Sequence, residues 1–183
     1  MPKLRTPVIL PPLKWVESPN QSARDVGTGI ELIVIHDTEG GYDSAISWFA
    51  NSHSEVSAHI VLKEDGSEAT QMVPYRRKAW HASAFNSRSI GLEMAGFAKK
   101  GYGKNEWLVA ARIVAFLLHE NGLPGRWSKT GAGKGFCRHY DLGTAGGGHR
   151  DPTTDDAVWA KFVKQVQVEL SRGDFRATWG RNT

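Results

Sequence analysis

A single cysteine, Cys137, among 183 residues excludes an internal disulfide framework and fits synthesis in a reducing compartment. Long apolar runs are missing too. The most apolar stretch, EWLVAARIVAFLLHENG, is interrupted by Arg112, which argues against a membrane span. The basic start, MPKLRTPVILPPLKWVESP, has an apolar part too short and too broken by prolines for a secretory signal. The net charge of +4 suits an anionic partner such as nucleic acid, a wall polymer or a membrane surface. No lysine-rich block accompanies it, so nucleic acid is not expected. Repeats and low-complexity tracts are absent, and 40% hydrophobic with 23% charged residues is ordinary for one folded domain.

What is present reads as mixed α/β. Residues 1–28 form an extended lead segment, rich in breakers and poor in periodicity; 29–172 form the compact domain, and 173–183 a tail. The β-branched run ELIVIHDT predicts a buried strand over 31–38. A short helix follows with Asp43 as N-cap, and VSAHIVLKEDGSEATQMV predicts a hairpin turning at Asp65-Gly66. In SIGLEMAG, Ile90, Leu92 and Met94 alternate with Gly91, Glu93 and Ala95, which turns Glu93 away from the large apolar side chains. A core helix starts near Asn105 and stops at Gly122. The last helix carries an apolar stripe of Val158, Trp159, Phe162, Val163, Val166 and Leu170, with Asp155 and Asp156 at its positive end. The fold class is therefore α/β: one domain, a central mixed sheet, about three main helices.

The densest chemistry lies in RHYDLGTAGGGHRDP, with two histidines, two aspartates and four glycines in residues 138–152. Glycines would let the chain double back so that His139 and Asp151 meet one ion. His36, ending an apolar strand just before a polar turn, stands where open α/β sheets present functional side chains. Two histidines, a carboxylate and an open position make a catalytic zinc arrangement, although the spacing from His139 to Asp151 is by itself a weak signal. Cys137 is a rival ligand, but adjacent same-face positions crowd a tetrahedral ion, and a small buried residue is the favoured reading. Glu93 could serve as general base and His149 could donate to an oxyanion, each set against an ordinary exposed role. His59 reads as a satisfied group within its strand, His119 as a cation at a helix C-terminus, and His53 as solvated.

Five stretches in order, IVIHDTEG, EVSAHIVLKEDGSEATQMV, RKAWHAS, NSRSIGLEMAG and HYDLGTAGGGHRDP, span roughly residues 31–152. Together they resemble the zinc-dependent N-acetylmuramoyl-L-alanine amidases of the type 2 family, which include phage endolysins, wall-recycling amidases and peptidoglycan recognition proteins. The resemblance implies one zinc held by His36, His139 and Asp151, with Glu93 as catalytic acid/base and His149 stabilising the transition state. It assigns Trp80, His81 and Asn86 to the substrate groove. The implied reaction is hydrolysis of the amide between N-acetylmuramic acid and L-alanine in peptidoglycan, by a monomer without membrane insertion.

The sequence departs from the pattern in two places. Ala58 stands where some phage relatives carry a catalytic tyrosine, and the loop from His139 to Asp151 is long. The segment GHRD also leaves His149 open as a ligand in place of His139. An endolysin made in the cytoplasm and acting on the wall after release is the expected role. A cytoplasmic recycling amidase and a non-catalytic peptidoglycan-binding module are the alternatives.

Overall fold

The computed structural model describes residues 6–176 and 179; residues 1–5 of the lead and most of the end of the tail lie outside them. Six strands form the central sheet in the order β2 (Leu13–Trp15), β6 (Ala69–Gln71), β5 (Ile60–Leu62), β8 (Ser89–Met94), β4 (Leu32–Asp37) and β9 (Gly135–Arg138). Only the β5–β6 hairpin is antiparallel. The sheet is mixed, as the alternation of strand and helix patterns predicts.

β4 and β8 are buried along their whole length, which is why both are rich in apolar residues. Period-two alternation sends their side chains to opposite faces. Ile33, Ile35, Ile90, Leu92 and Met94 pack into the main core against α2 (Lys104–Glu120) and α3 (Asp156–Arg172). On the other face Leu32 and Val34 meet Cys137, while Val61 packs under α1 (Tyr42–Phe49). His36 and Glu93 fall on this second face.

Two helix details differ from the local reading, and a third, at the start of α3, agrees with it. The N-cap of α1 is Gly41, and Asp43 sits inside the first turn. Glu64 of the hairpin accepts the Tyr42 N–H at 2.9 Å, so a carboxylate from another element does the capping. Asp155 caps α3, accepting from Ala157 and Val158 N–H. Val158 itself is partly exposed and lies off the apolar stripe that Trp159, Phe162 and Val166 carry.

The lead segment is paired to the domain through its backbone. β2 is the outer strand of the central sheet, β1 (Val8–Ile9) pairs with β10 (Phe175–Arg176), and β3 (Gln21–Ala23) pairs with β7 (Arg77–Ala79). Arg24 anchors it further, donating to the carbonyls of Tyr75, Ser87 and Ser89 at 3.0, 2.7 and 2.9 Å. Burial draws its guanidinium down to about 10, which still leaves it charged at neutral pH. The ordered structure thus begins well before residue 29. The composition of 1–28 hid this, because strands of two and three residues carry no readable period.

No helix among the described residues is long and apolar enough to cross a membrane.

Glu106, in the first turn of α2, is buried with Oε1 unpartnered among the described residues, and burial followed by repulsion from Glu64 pushes its carboxyl up to about 8. A raised acid favours the folded state while protonated, so stability is lost as pH rises from the unfolded value of about 4.5 through 8. Glu106→Gln is accordingly expected to gain about 1–2 kcal/mol over wild type at pH 9, after discounting for water reaching the carboxyl. The gain should vanish near pH 4. Equal melting temperatures for the two proteins at pH 9 would contradict it.

Candidate active site

Parallel pairing of three adjacent strands assembles the site. His36 on β4 lies in register with Glu93 on β8, and His139 follows directly from β9, whose Arg138 pairs with Ile35. Parallel neighbours in register point to the same face, so three C-terminal strand ends present His36, Glu93 and His139 side by side. The chain then turns through a 3₁₀ segment, His139–Gly146, and comes back. Gly143, Gly147 and Gly148 have positive φ, which explains much of the glycine in this loop. The Tyr140 N–H donates to the Asp151 carbonyl at 3.0 Å and brings Asp151 back beside His139.

A buried arginine holds the base of this loop. Arg138 grips Asp141 through Nε and Nη2 at 3.1 and 2.7 Å and reaches Asp156 at 2.8 Å. Trp127 donates to the same Asp141 at 2.8 Å. Asp37 fixes the other side: its N–H donates to Asp151 Oδ2 at 3.1 Å, and its carboxylate accepts from Tyr102 Oη–H at 2.9 Å.

His36, His139 and Asp151 offer ligand atoms that all lie within 4.8 Å of one another. Proton placement decides what this cluster can hold. His139 Nε2 lies 2.7 Å from the Gly146 carbonyl, which can only accept, so the proton is on Nε2 and the Nδ1 lone pair faces His36 Nδ1 at 2.8 Å. Burial pulls His36 down to about 4, so it is neutral at pH 7. Asp151 carboxylate oxygens lie 3.6 Å from His36 Nδ1 and 3.3 Å from His139 Nδ1. Electron-rich atoms converging in this way fit a divalent cation, and two imidazoles with a carboxylate match a borderline-soft ion such as zinc.

Glu93 is buried beside this cluster, its Oε2 without a hydrogen-bond partner among the described residues. Burial, then repulsion from Asp151 and Asp37, pushes its carboxyl well above the usual range. His149 is 61% exposed at the mouth, stacked on His139 with centroids 4.3 Å apart and its Nδ1 3.8 Å from Asp151. Above the floor opens a cleft of about 620 Å³. Trp48, Val56, Trp80, Lys99 and Arg150 are among the residues that line it.

The three groove candidates part company. Trp80 lines the cleft, with its indole N–H donating to Ser22 at 3.1 Å. His81 borders it as well, yet its ring is held between His36 and Ser89. Asn86 is not among the lining residues; its Oδ1 accepts the N–H groups of His81 and Ala82 and shapes their turn. Cys137 is buried among Leu32, Val34, Ala82 and Leu142, where burial keeps its thiol protonated. His59 is a satisfied interior group, accepting the Gly91 N–H at Nδ1 and donating to the Arg77 carbonyl.

Asp37, Tyr102, Ser89 and the Arg138–Asp141 pair were missed as site supports by sequence reasoning. The mid-strand Gly91 was the available signal that a side chain, here His81, lies directly against β8. A Cβ there would come within 2.7 Å of the His81 ring, and glycine inside a strand marks such close approaches.

Comparison with known proteins bears on the same residues. The family profile described as N-acetylmuramoyl-L-alanine amidase matches residues 26–154. N-acetylmuramoyl-L-alanine amidase A of Achromobacter lyticus is 33% identical over 84 residues, 46% of this chain and 48% of that protein. The 1,6-anhydro-N-acetylmuramyl-L-alanine amidase AmpD of Salmonella typhimurium is 32% identical over 75 residues, 37% of this chain and 40% of AmpD. The matched region thus spans under half the length of either relative. Among solved structures, the Staphylococcus aureus hydrolase AmiA aligns with a TM-score of 0.71 at 19% identity, covering 93% of this chain and 89% of AmiA. An AmpD derivative aligns with a TM-score of 0.65 at 23% identity, covering 88% and 98%. At these identities the solved structures establish the fold, a single mixed α/β domain.

Proposed function

Since the chain belongs to the N-acetylmuramoyl-L-alanine amidase family, we propose that it hydrolyses the amide between N-acetylmuramic acid and L-alanine in peptidoglycan, with one zinc as cofactor. The observation that carries this reading is the convergence of two imidazole lone pairs and the Asp151 carboxylate beside an unpartnered, buried Glu93. His36, His139 and Asp151 would hold the metal. When bound, zinc supplies Lewis acidity toward the scissile carbonyl and the attacking water. Glu93, in the carboxylate form that a neighbouring cation would favour, takes a proton from that water and returns it to the leaving amine of L-alanine. His149, at the mouth, donates toward the developing oxyanion. Trp80 packs against the substrate, and Lys99 and Arg150 face its stem-peptide carboxylates. His139 is preferred to His149 as ligand because it is buried beside His36, whereas His149 is exposed and stacks behind it.

The enzyme acts as a monomer on the wall, as a phage or prophage endolysin does, after synthesis in the cytoplasm; it needs neither nucleic acid nor membrane insertion. The exposed Trp48 and Val56 along an open cleft favour a polymeric substrate over a small soluble fragment. An idle binding module of the same fold would have no use for an unpartnered buried carboxyl, which costs free energy on folding.

Zinc-loaded protein incubated with purified sacculi should release new L-alanine amino termini and no new reducing ends. Cleavage elsewhere in the peptide, or binding without cleavage, would overturn the amidase reading. Faster turnover of soluble muropeptides than of sacculi would shift the role to recycling.

A further inference from the structure

We propose that His81 and Ser89 act as positioning residues that fix the tautomer of His36, leaving its Nδ1 lone pair bare for the metal. The inference rests on the zinc reading of the same cluster and adds to it the groups that prepare the ligand.

Protons can be traced along the chain of contacts. The Ser89 hydroxyl donates its one proton to the Phe85 carbonyl at 2.7 Å. Its contact with His81 Nε2, at 3.1 Å, is therefore one in which His81 donates. A neutral imidazole protonated at Nε2 has its lone pair on Nδ1. That Nδ1 lies 2.9 Å from His36 Nε2, so His36 donates there and carries its proton on Nε2. Its Nδ1 is then unprotonated and faces His139 Nδ1 and Asp151. The opposite assignment would strip the Phe85 carbonyl of its Ser89 donor and aim an N–H into the ligand cluster.

The surroundings hold this relay in one geometry. The rings of His36 and His81 are nearly perpendicular, at 84° with centroids 5.0 Å apart. Gly91 leaves the space the His81 ring fills, Asn86 clamps the His81 backbone, and His59 abuts the ring edge-on at 5.6 Å. The stretch from His81 to Gly91 thus supplies the relay, its clamp and the space it needs. His139 is set independently, by the Gly146 carbonyl. Ligating histidines as a rule depend on such partners, and losing one typically costs about 10–100-fold in metal affinity.

The test measures zinc affinity by competition with a chromophoric chelator on the full chain, together with nitrogen NMR of the imidazoles in metal-free protein. His81→Ala is expected to weaken zinc binding by about 10–100-fold. His81→Asn, whose Oδ1 can accept from His36 Nε2–H, should recover most of that loss. Ser89→Ala should yield a mixed His36 tautomer where wild type carries the proton on Nε2, and Ser89→Thr should restore the wild-type pattern. Wild-type affinity in His81→Ala would overturn the proposal. So would His81→Asn binding as weakly as His81→Ala, or a His36 proton on Nδ1 in wild type. If wild type binds no zinc, the zinc reading fails, and the NMR pattern still decides whether the relay exists.

Discussion

Glu93→Gln is expected to bind zinc as tightly as wild type and to hydrolyse peptidoglycan about 10²–10⁴-fold more slowly. The site predicts both halves. Glu93 is not among the three clustered ligand residues, so the metal-binding set survives. Its carboxyl is already pushed well above the usual range by burial, with Asp151 and Asp37 adding repulsion, so a neutral amide of the same shape matches the form the fold prefers. No stability should be lost, and the melting temperature should hold or rise. What glutamine cannot do is take a proton and hand it on. The measurement is the rate of L-alanine amino-terminus release, alongside zinc affinity and thermal melting. Activity within tenfold of wild type would remove Glu93 from the chemistry.

Zinc should also stabilise the fold strongly. His36 Nδ1 and His139 Nδ1 face one another at 2.8 Å beside Asp151, a set of electron-rich atoms that a cation would hold together. A ligand that binds only the folded state, present at a thousand times its Kd, contributes about 4 kcal/mol. For a chain of this size that corresponds to a rise of roughly 8–16 °C in melting temperature. His139→Ala and Asp151→Ala should each abolish most of the rise, whereas His149→Ala should keep it. The reverse outcome, a shift that survives loss of His139 and disappears with His149, would exchange their roles. Scanning calorimetry with added zinc, and again with a chelator, distinguishes these cases.

Much of this was legible along the chain because short-range periodicity encodes it. The wholly apolar run before His36 marked a central strand, and the alternation around Glu93 correctly turned that residue away from the main core. Register was not legible. That His36 stands beside Glu93 depends on parallel pairing between segments more than fifty positions apart, which no local pattern specifies. The same holds for β2, which becomes part of the sheet only because β6 lies there to receive it. His81 illustrates the limit most clearly. Its neighbourhood pointed to the groove, but the direction of a loop side chain depends on what surrounds it, here Ser89 on one side and His36 on the other.

The pairing of Val8 with Phe175, reinforced by a hydrogen bond from the Trp179 indole to the Pro11 carbonyl across 168 positions, fastens the two ends of the described chain together. Closing a loop of that length costs chain entropy, which the burial it brings must offset. The burial is visible at Phe116 on α2, which the rings of Phe175 and Trp179 cover from 5.9 and 5.6 Å; without the clasp it loses both. That apolar side chain lies on the α2 side of the sheet, opposite the face that carries His36 and Glu93. Trimming either end of the described chain is therefore a change to the hydrophobic core, although both ends lie far from His36, His139 and Asp151 in the fold.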